Sequence, residues 1–175
     1  MDNIGLSAEE EKEIWRVAAL YKREAKKCSN VKAYLAGCVL IGATIEALLL
    51  LWANCHKEIV TSAKSAPKRK REVRPLREWS FFNLLRATEK LNLLPSGLSK
   101  KDEWNDAKAK IGDYVELVRQ IRNLIHPARF ITAGFKGKKV RKEYYEACYR
   151  ILETASDYLL EKAKNILKDL KDEQK

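Results

Sequence analysis

A chain of 175 residues with 46% hydrophobic and 34% charged residues is long enough to bury a core without disulfide or metal staples. Its composition excludes wholesale disorder and a membrane-filling fold. Seven Gly and four Pro are too few for collagen-like, low-complexity or loop-rich all-β designs. The formal net charge of +11 points to polyanionic partners and says nothing about fold.

Taken in chain order, the sequence reads as helix almost throughout. Met1 to Lys12 is polar and acidic with no apolar run, which predicts no signal peptide and a cytoplasmic protein. Ser7 and Glu10 form a capping box ahead of Ile14, Trp15, Val17, Ala18 and Tyr21, predicting an amphipathic helix that ends near Cys28. Asn30 is placed to cap a second helix running through Ala33 to about Glu58. Pro67 and Pro75 enclose a basic segment, so 61–77 is expected as a loop. A shorter third helix runs from about Glu78 through Phe81, Phe82, Leu84, Leu85 and Leu91, stopping before Pro95.

Ser99 and Asp102 are expected to cap a fourth helix, in which Trp104, Ala107, Ile111, Val115, Val118 and Ile125 keep a helical period. Pro127 disfavours helical geometry at His126, so that helix ends there. A basic loop with Gly134 and Gly137 follows, over 127–142, before a last long helix carrying Tyr144, Cys148, Ile151, Ala155, Tyr158 and Ile166. No segment alternates as a strand would. The expectation is one all-α domain over residues 1–175, a bundle of four to five helices with a long C-terminal helix.

Cys28, Cys38, Cys55 and Cys148 show no Cys-x-x-Cys pairing, and only His56 and His126 accompany them. That is not metal-ligand spacing, and buried free thiols are expected. There is no Gly-rich phosphate loop either, so neither a metal nor a cofactor is predicted. The positive charge is concentrated. Lys64 to Arg77 holds seven basic residues against Glu72, and Lys136 to Lys142 holds five against none; together these segments account for the whole surplus. Lys68, Arg69, Lys138 and Lys139 are thereby candidates for contact with an RNA backbone. A nuclear-localisation run and a merely solvated loop are the competing readings. Phe130, Phe135, Tyr144 and Tyr145 near the second segment suit either base stacking or helix packing.

The stretch Ala33 to Ala53 is apolar except for Thr44 and Glu46, close to the roughly 20 residues a membrane span needs. A carboxylate at its centre argues instead for the buried central helix of a bundle, with no membrane partner. Glu46 then needs a partner, because an isolated buried charge is prohibitively costly. Arg122 is the candidate. At 100° per residue from Val118, Arg122 lies at about 40°, His126 at about 80° and Arg119 at about 100°, on one edge of the apolar stripe. The alternative is that Arg122 snorkels to solvent past the helix end.

His126 has two readings as well. A helix-terminal His often only complements the dipole. Beside two arginines, its imidazole can also take a proton from a ribose 2′-hydroxyl or give one to a leaving oxygen. The arginines would hold the phosphate and offset its developing charge. That set suffices for metal-independent RNA cleavage by 2′-hydroxyl attack. With one such His per chain, a symmetric dimer brings two together.

The run Arg119-Gln120-Ile121-Arg122-Asn123-Leu124-Ile125-His126 resembles the signature of the HEPN superfamily (higher eukaryotes and prokaryotes nucleotide-binding), an Arg followed after four to six residues by His. The order of elements is also similar: an apolar helix with an internal Glu46, a third helix ending in Leu-Leu-Pro, and Arg-Asn-Leu-Ile-His-Pro closing the fourth. The resemblance implies an α-helical bundle that dimerises through its motif helices. It further implies either a metal-independent endoribonuclease of toxin–antitoxin or defence type, or an inactive module that binds RNA or a partner such as an antitoxin. Arg119 has the right spacing but is followed by Gln120; Arg122 has the favoured polar follower, Asn123, but only three residues before His126. Either Arg can take the catalytic role with the other structural; Arg119 is preferred as the phosphate-facing one, since Arg122 points inward toward Glu46, and Asn123 and Arg129 are additional candidate substrate contacts.

Overall fold

The computed structural model describes residues 4–90, 93–99, 103–132 and 140–172. Its helices are α1 (Ala8–Asn30), α2 (Tyr34–Cys55), α3 (Lys57–Ser62), α4 (Phe81–Lys90), α5 (Ile111–Arg122), α6 (Pro127–Thr132) and α7 (Lys142–Asp172). Two strands, β1 (Lys68–Arg69) and β2 (Glu72–Val73), pair antiparallel. Short 3-10 turns cover Leu76–Glu78 and Asn123–Ile125. The class is all-α.

α2 is apolar around its whole circumference because it is the centre of the bundle, packed by α1, α7, α5 and α4. Its length and mean hydropathy of 2.1 would satisfy a bilayer span on composition alone, but here its neighbours are helices. Ile41, Ile45 and Leu49 are fully buried in it, against Val115 and Val118 of α5, Leu84 and Leu85 of α4, and Leu152 of α7. At the start of α1 the Ser7 capping box forms as the sequence predicts: Ser7 Oγ accepts from the Glu10 N–H and Glu10 accepts from the Ser7 N–H. Cys38 and Cys148 are buried free thiols, whereas Cys28 is half-buried and Cys55 exposed.

Several boundaries differ from the sequence reading. Asn30 closes α1 instead of capping α2, and the chain turns through Lys32 at φ 59°. The expected second helix is split at His56, whose φ of −118° breaks the ladder between α2 and α3. The expected loop over 61–77 contains the β-hairpin, where no strand was anticipated. Ser99 does not start a helix; Asp102 lies outside the described residues, 103–110 is irregular, and α5 begins at Ile111.

Asp113 explains that late start. Its carboxylate accepts from the N–H groups of Lys110, Gly97 and Leu98 and from the Ser96 hydroxyl, so it ties the 96–98 segment to the first turn of α5. Gly112 lets the two meet. A Cβ there would lie 2.7 Å from the Leu94 carbonyl oxygen.

Beyond Arg122 the wheel fails for a simple reason. The chain tightens into a 3-10 turn at Asn123–Ile125, advancing about 120° per residue instead of 100°. Leu124 is therefore buried and Ile125 is 51% exposed, the reverse of the periodic expectation. Pro127 does push His126 to extended backbone, φ −84° and ψ 118°. It then occupies the first turn of α6, where its missing N–H costs nothing, so helix stands at the start of the segment expected to be loop.

Candidate nucleic-acid interface

Arg122 meets Glu46 as the sequence predicts. Arg122 Nη2 donates to Glu46 Oε2 at 2.7 Å, with the two side chains 30% and 24% exposed. The stem of Arg122 reaches this carboxylate by lying across Gly42, one turn earlier on α2. A Cβ on Gly42 would lie 2.9 Å from Arg122 Cβ. The guanidinium that sequence reasoning offered to a phosphate is thus held by a carboxylate between α5 and α2.

Arg119 is held as well. Its Nε and Nη2 donate to the two oxygens of Glu116 at 2.7 and 2.6 Å, a fork-on-fork pair one turn apart on α5. Burial alone would raise the Glu116 carboxyl; the bonds from Arg119 and Gln120 hold it below the usual range. Arg119 also lies 5.4 Å from the centroid of the Phe82 ring on α4, and Arg86 lies 5.2 Å from the same ring. Arg86 pairs with Glu89 at 2.5 Å. Burial pushes the Glu89 carboxyl up, against the opposing influence of Arg86.

These groups line a cleft of about 720 Å³ between α4 and α5, with Ser96, Leu98, Ser99, Trp104 and Leu117 as further walls. The cleft is within the usual size for small-ligand sites. Sequence reasoning missed it, because Phe82, Arg86 and Glu89 come together with α5 only through tertiary packing. The one local signal is the Arg86–Glu89 spacing of three on a helix.

His126 is exposed and does not line this cleft. Among the described residues no hydrogen bond joins its side chain to Arg119 or Arg122. The protomer therefore separates the three: Arg119 faces α4, Arg122 faces α2, and His126 stands at the surface between exposed Ile125 and α6. Asn123 is half-buried at the end of α5, and Arg129 is exposed on α6.

Lys68 and Arg69 are exposed on β1, and Lys70 and Arg71 form the two-residue tip of the hairpin at φ 50° and 74°. Positive φ at both central residues is the geometry of a type I′ turn, usually supplied by Asn-Gly. The base of the hairpin is anchored. Trp79 Nε1 donates to the Arg74 carbonyl at 2.8 Å, the Arg74 N–H donates to the Pro67 carbonyl at 3.0 Å, and Ala66, Leu76 and Trp79 are buried. Lys138, Lys139 and Phe135 lie outside the described residues. Tyr145 is buried with its ring 6.3 Å from Tyr34 and 6.1 Å from Tyr149, so it packs helices.

Comparison with protein-family models, with curated proteins and with solved structures gives no match.

Proposed function

We propose that this chain is an RNA-binding helical protein with a HEPN-like bundle, acting in the cytoplasm, whose first contact with RNA is the β-hairpin tip. One observation carries the reading: four consecutive cations, Lys68 to Arg71, sit on an exposed hairpin whose base is pinned by Trp79, with two of them held at positive φ. A tip chosen for stability alone would use Asn-Gly. Charge at the tip supplies backbone neutralisation, which makes binding salt-dependent. The pairing of Arg119 with Glu116 and of Arg122 with Glu46 supports binding over cleavage, because both guanidiniums are directed to carboxylates and away from His126. Gel-shift titration of a single-stranded oligoribonucleotide at several salt concentrations tests this. Affinity that falls steeply with salt, and is reduced when Lys68 to Arg71 are replaced by serine, is the expected result; binding indifferent to those replacements removes the proposal.

A second reading is favoured by the exposure of His126. In it the chain is a metal-independent endoribonuclease, and a homodimer places two His126 side chains at one RNA, with Arg129 and an Arg119 released from Glu116 on the phosphate. Incubation with single-stranded RNA in EDTA decides. Cleavage by the wild type that His126→Ala abolishes establishes the enzyme; equal residual cleavage in both leaves RNA or protein-partner binding, as of an antitoxin-like or regulatory module.

A further inference from the structure

We infer that the cleft between α4 and α5 is a recognition site for an unpaired nucleobase, entered by the base and closed to its phosphate. The inference rests on the RNA-binding reading above and adds where the base goes. Charge decides which part of a nucleotide fits. Glu89, Asp113 and Glu116 bring three carboxylates to a wall that carries two guanidiniums, Arg86 and Arg119. Each arginine is already paired with a glutamate at hydrogen-bond distance. Among the described residues of the lining, a phosphate would meet more negative than positive charge. A neutral planar group meets the opposite conditions.

Phe82 is 40% exposed and Trp104 43% exposed on the cleft walls, and every base offers a π-face to such rings. The guanidiniums of Arg86 and Arg119 lie over the Phe82 ring, 5.2 and 5.4 Å from its centroid, and a guanidinium plane is itself a surface on which a base stacks. At the polar side, the Arg86 Nε–H is buried and finds no acceptor among the described residues. A buried donor left without an acceptor is costly, and a small movement of the Arg86 side chain would bring this one to a ring nitrogen or carbonyl oxygen in the cleft. Glu89 and the amide of Gln120 complete a set with both donors and acceptors, as the hydrogen-bonding edges of bases require. Backbone neutralisation on the hairpin and base recognition in the cleft are thereby separate contributions.

The test follows the Trp104 indole N–H by two-dimensional NMR on the full chain, assigned with Trp104→Phe. Adenosine, guanosine, cytidine, uridine, inorganic phosphate and a short single-stranded oligoribonucleotide are the probes. At least one nucleoside is expected to shift the signal at up to millimolar concentration, while inorganic phosphate leaves it in place. The matching 5′-monophosphate is expected to bind no tighter than its nucleoside. Phe82→Ala should weaken nucleoside binding about tenfold or more, and Leu98→Trp, which fills the cleft without removing its floor, should block it. Absence of a shift with all four nucleosides, phosphate binding at the same site, or unaltered affinity in both variants overturns the inference. Loss of RNA binding in the hairpin variant with nucleoside shifts intact would leave the cleft standing. Salt-dependent RNA binding without any nucleoside shift would leave only the RNA-binding reading.

Discussion

Arg122 crosses from α5 to α2 over the bare backbone of Gly42 and donates to Glu46 at 2.7 Å. The glycine and the glutamate stand one helical turn apart on α2, so one supplies the channel for the aliphatic stem and the other the counter-charge at its end. The contact stitches the centre of the bundle to the helix that leads to His126. Because Arg122 Cβ is fixed by the α5 backbone, it cannot swing aside. Gly42→Ala is expected to destabilise the fold by about 1–3 kcal/mol, reduced by the better helix propensity of Ala. Urea denaturation measures this, and a variant more stable than wild type would show that α5 shifts freely.

The Glu46–Arg122 pair is about one quarter exposed, so solvent screening lowers its worth below that of a fully buried pair. Glu46→Ala should cost about 1–2 kcal/mol, since it strands a partly buried guanidinium. A double-mutant cycle with Arg122→Ala should return a coupling of the same order. Zero coupling in denaturant titrations would mean that the two side chains merely touch.

Asp113 gives a pH dependence with a defined sign. Burial alone would raise its carboxyl, but the bonds from Lys110, Ser96, Gly97 and Leu98 outweigh it and hold the group below the ordinary aspartate range. A carboxyl lowered in the folded state contributes stability that is present above the unfolded value and is lost as pH falls through the folded one. Stability should thus decline on acidification below about pH 4. Asp113→Asn should be less stable at pH 7 by about 1–3 kcal/mol and show a flatter decline in acid. Chemical denaturation at a series of pH values reads both effects, and parallel curves for the two proteins would contradict the assignment.

Much of this architecture is legible in the residues. The Ser7–Glu10 capping box, the all-round apolar character of α2, the need of Glu46 for a partner and the restriction that Pro127 places on His126 are local signals, and each holds. What the sequence hides depends on groups far apart in the chain. α5 starts late because Asp113 serves the 96–98 segment, an arrangement without a local pattern. Helical-wheel arithmetic places His126 beside Arg119 only while the turn stays α-helical, and the 3-10 segment at Asn123–Ile125 ends that condition. Arg119 pairs within its own helix, three residues from Glu116, a spacing visible in the sequence and outweighed there by the motif. The cleft needs α4 and α5 to meet.

His126 projects from extended backbone and is exposed, so His126→Ala should change stability by no more than about 0.5 kcal/mol. That expectation matters for the cleavage test, because loss of activity in a folded variant speaks to chemistry. A thermal melt that moves by more than a few degrees would assign the imidazole a structural role at the junction of α5 and α6.

The hairpin tip sets strain against charge. Lys70 and Arg71 adopt φ of 50° and 74°, a region that costs an L-residue about 1–2 kcal/mol relative to glycine-friendly turns. Replacing them with Asn-Gly keeps the two-residue loop and the Lys68–Val73 and Arg69–Glu72 register while relieving that strain. The variant should be as stable as wild type or more so, by up to about 1 kcal/mol where the hairpin unfolds with the bundle. Its RNA affinity should move the other way. Two lost cations remove roughly 0.7 each from the slope of log affinity against log salt for a single strand. Hairpin and bundle are thereby separated in one protein: a stabilised chain that binds RNA more weakly and less salt-dependently means the left-handed lysine and arginine are retained for the phosphate backbone. A slope unchanged by the replacement would place the RNA elsewhere on the surface and leave the strained turn without a functional reason.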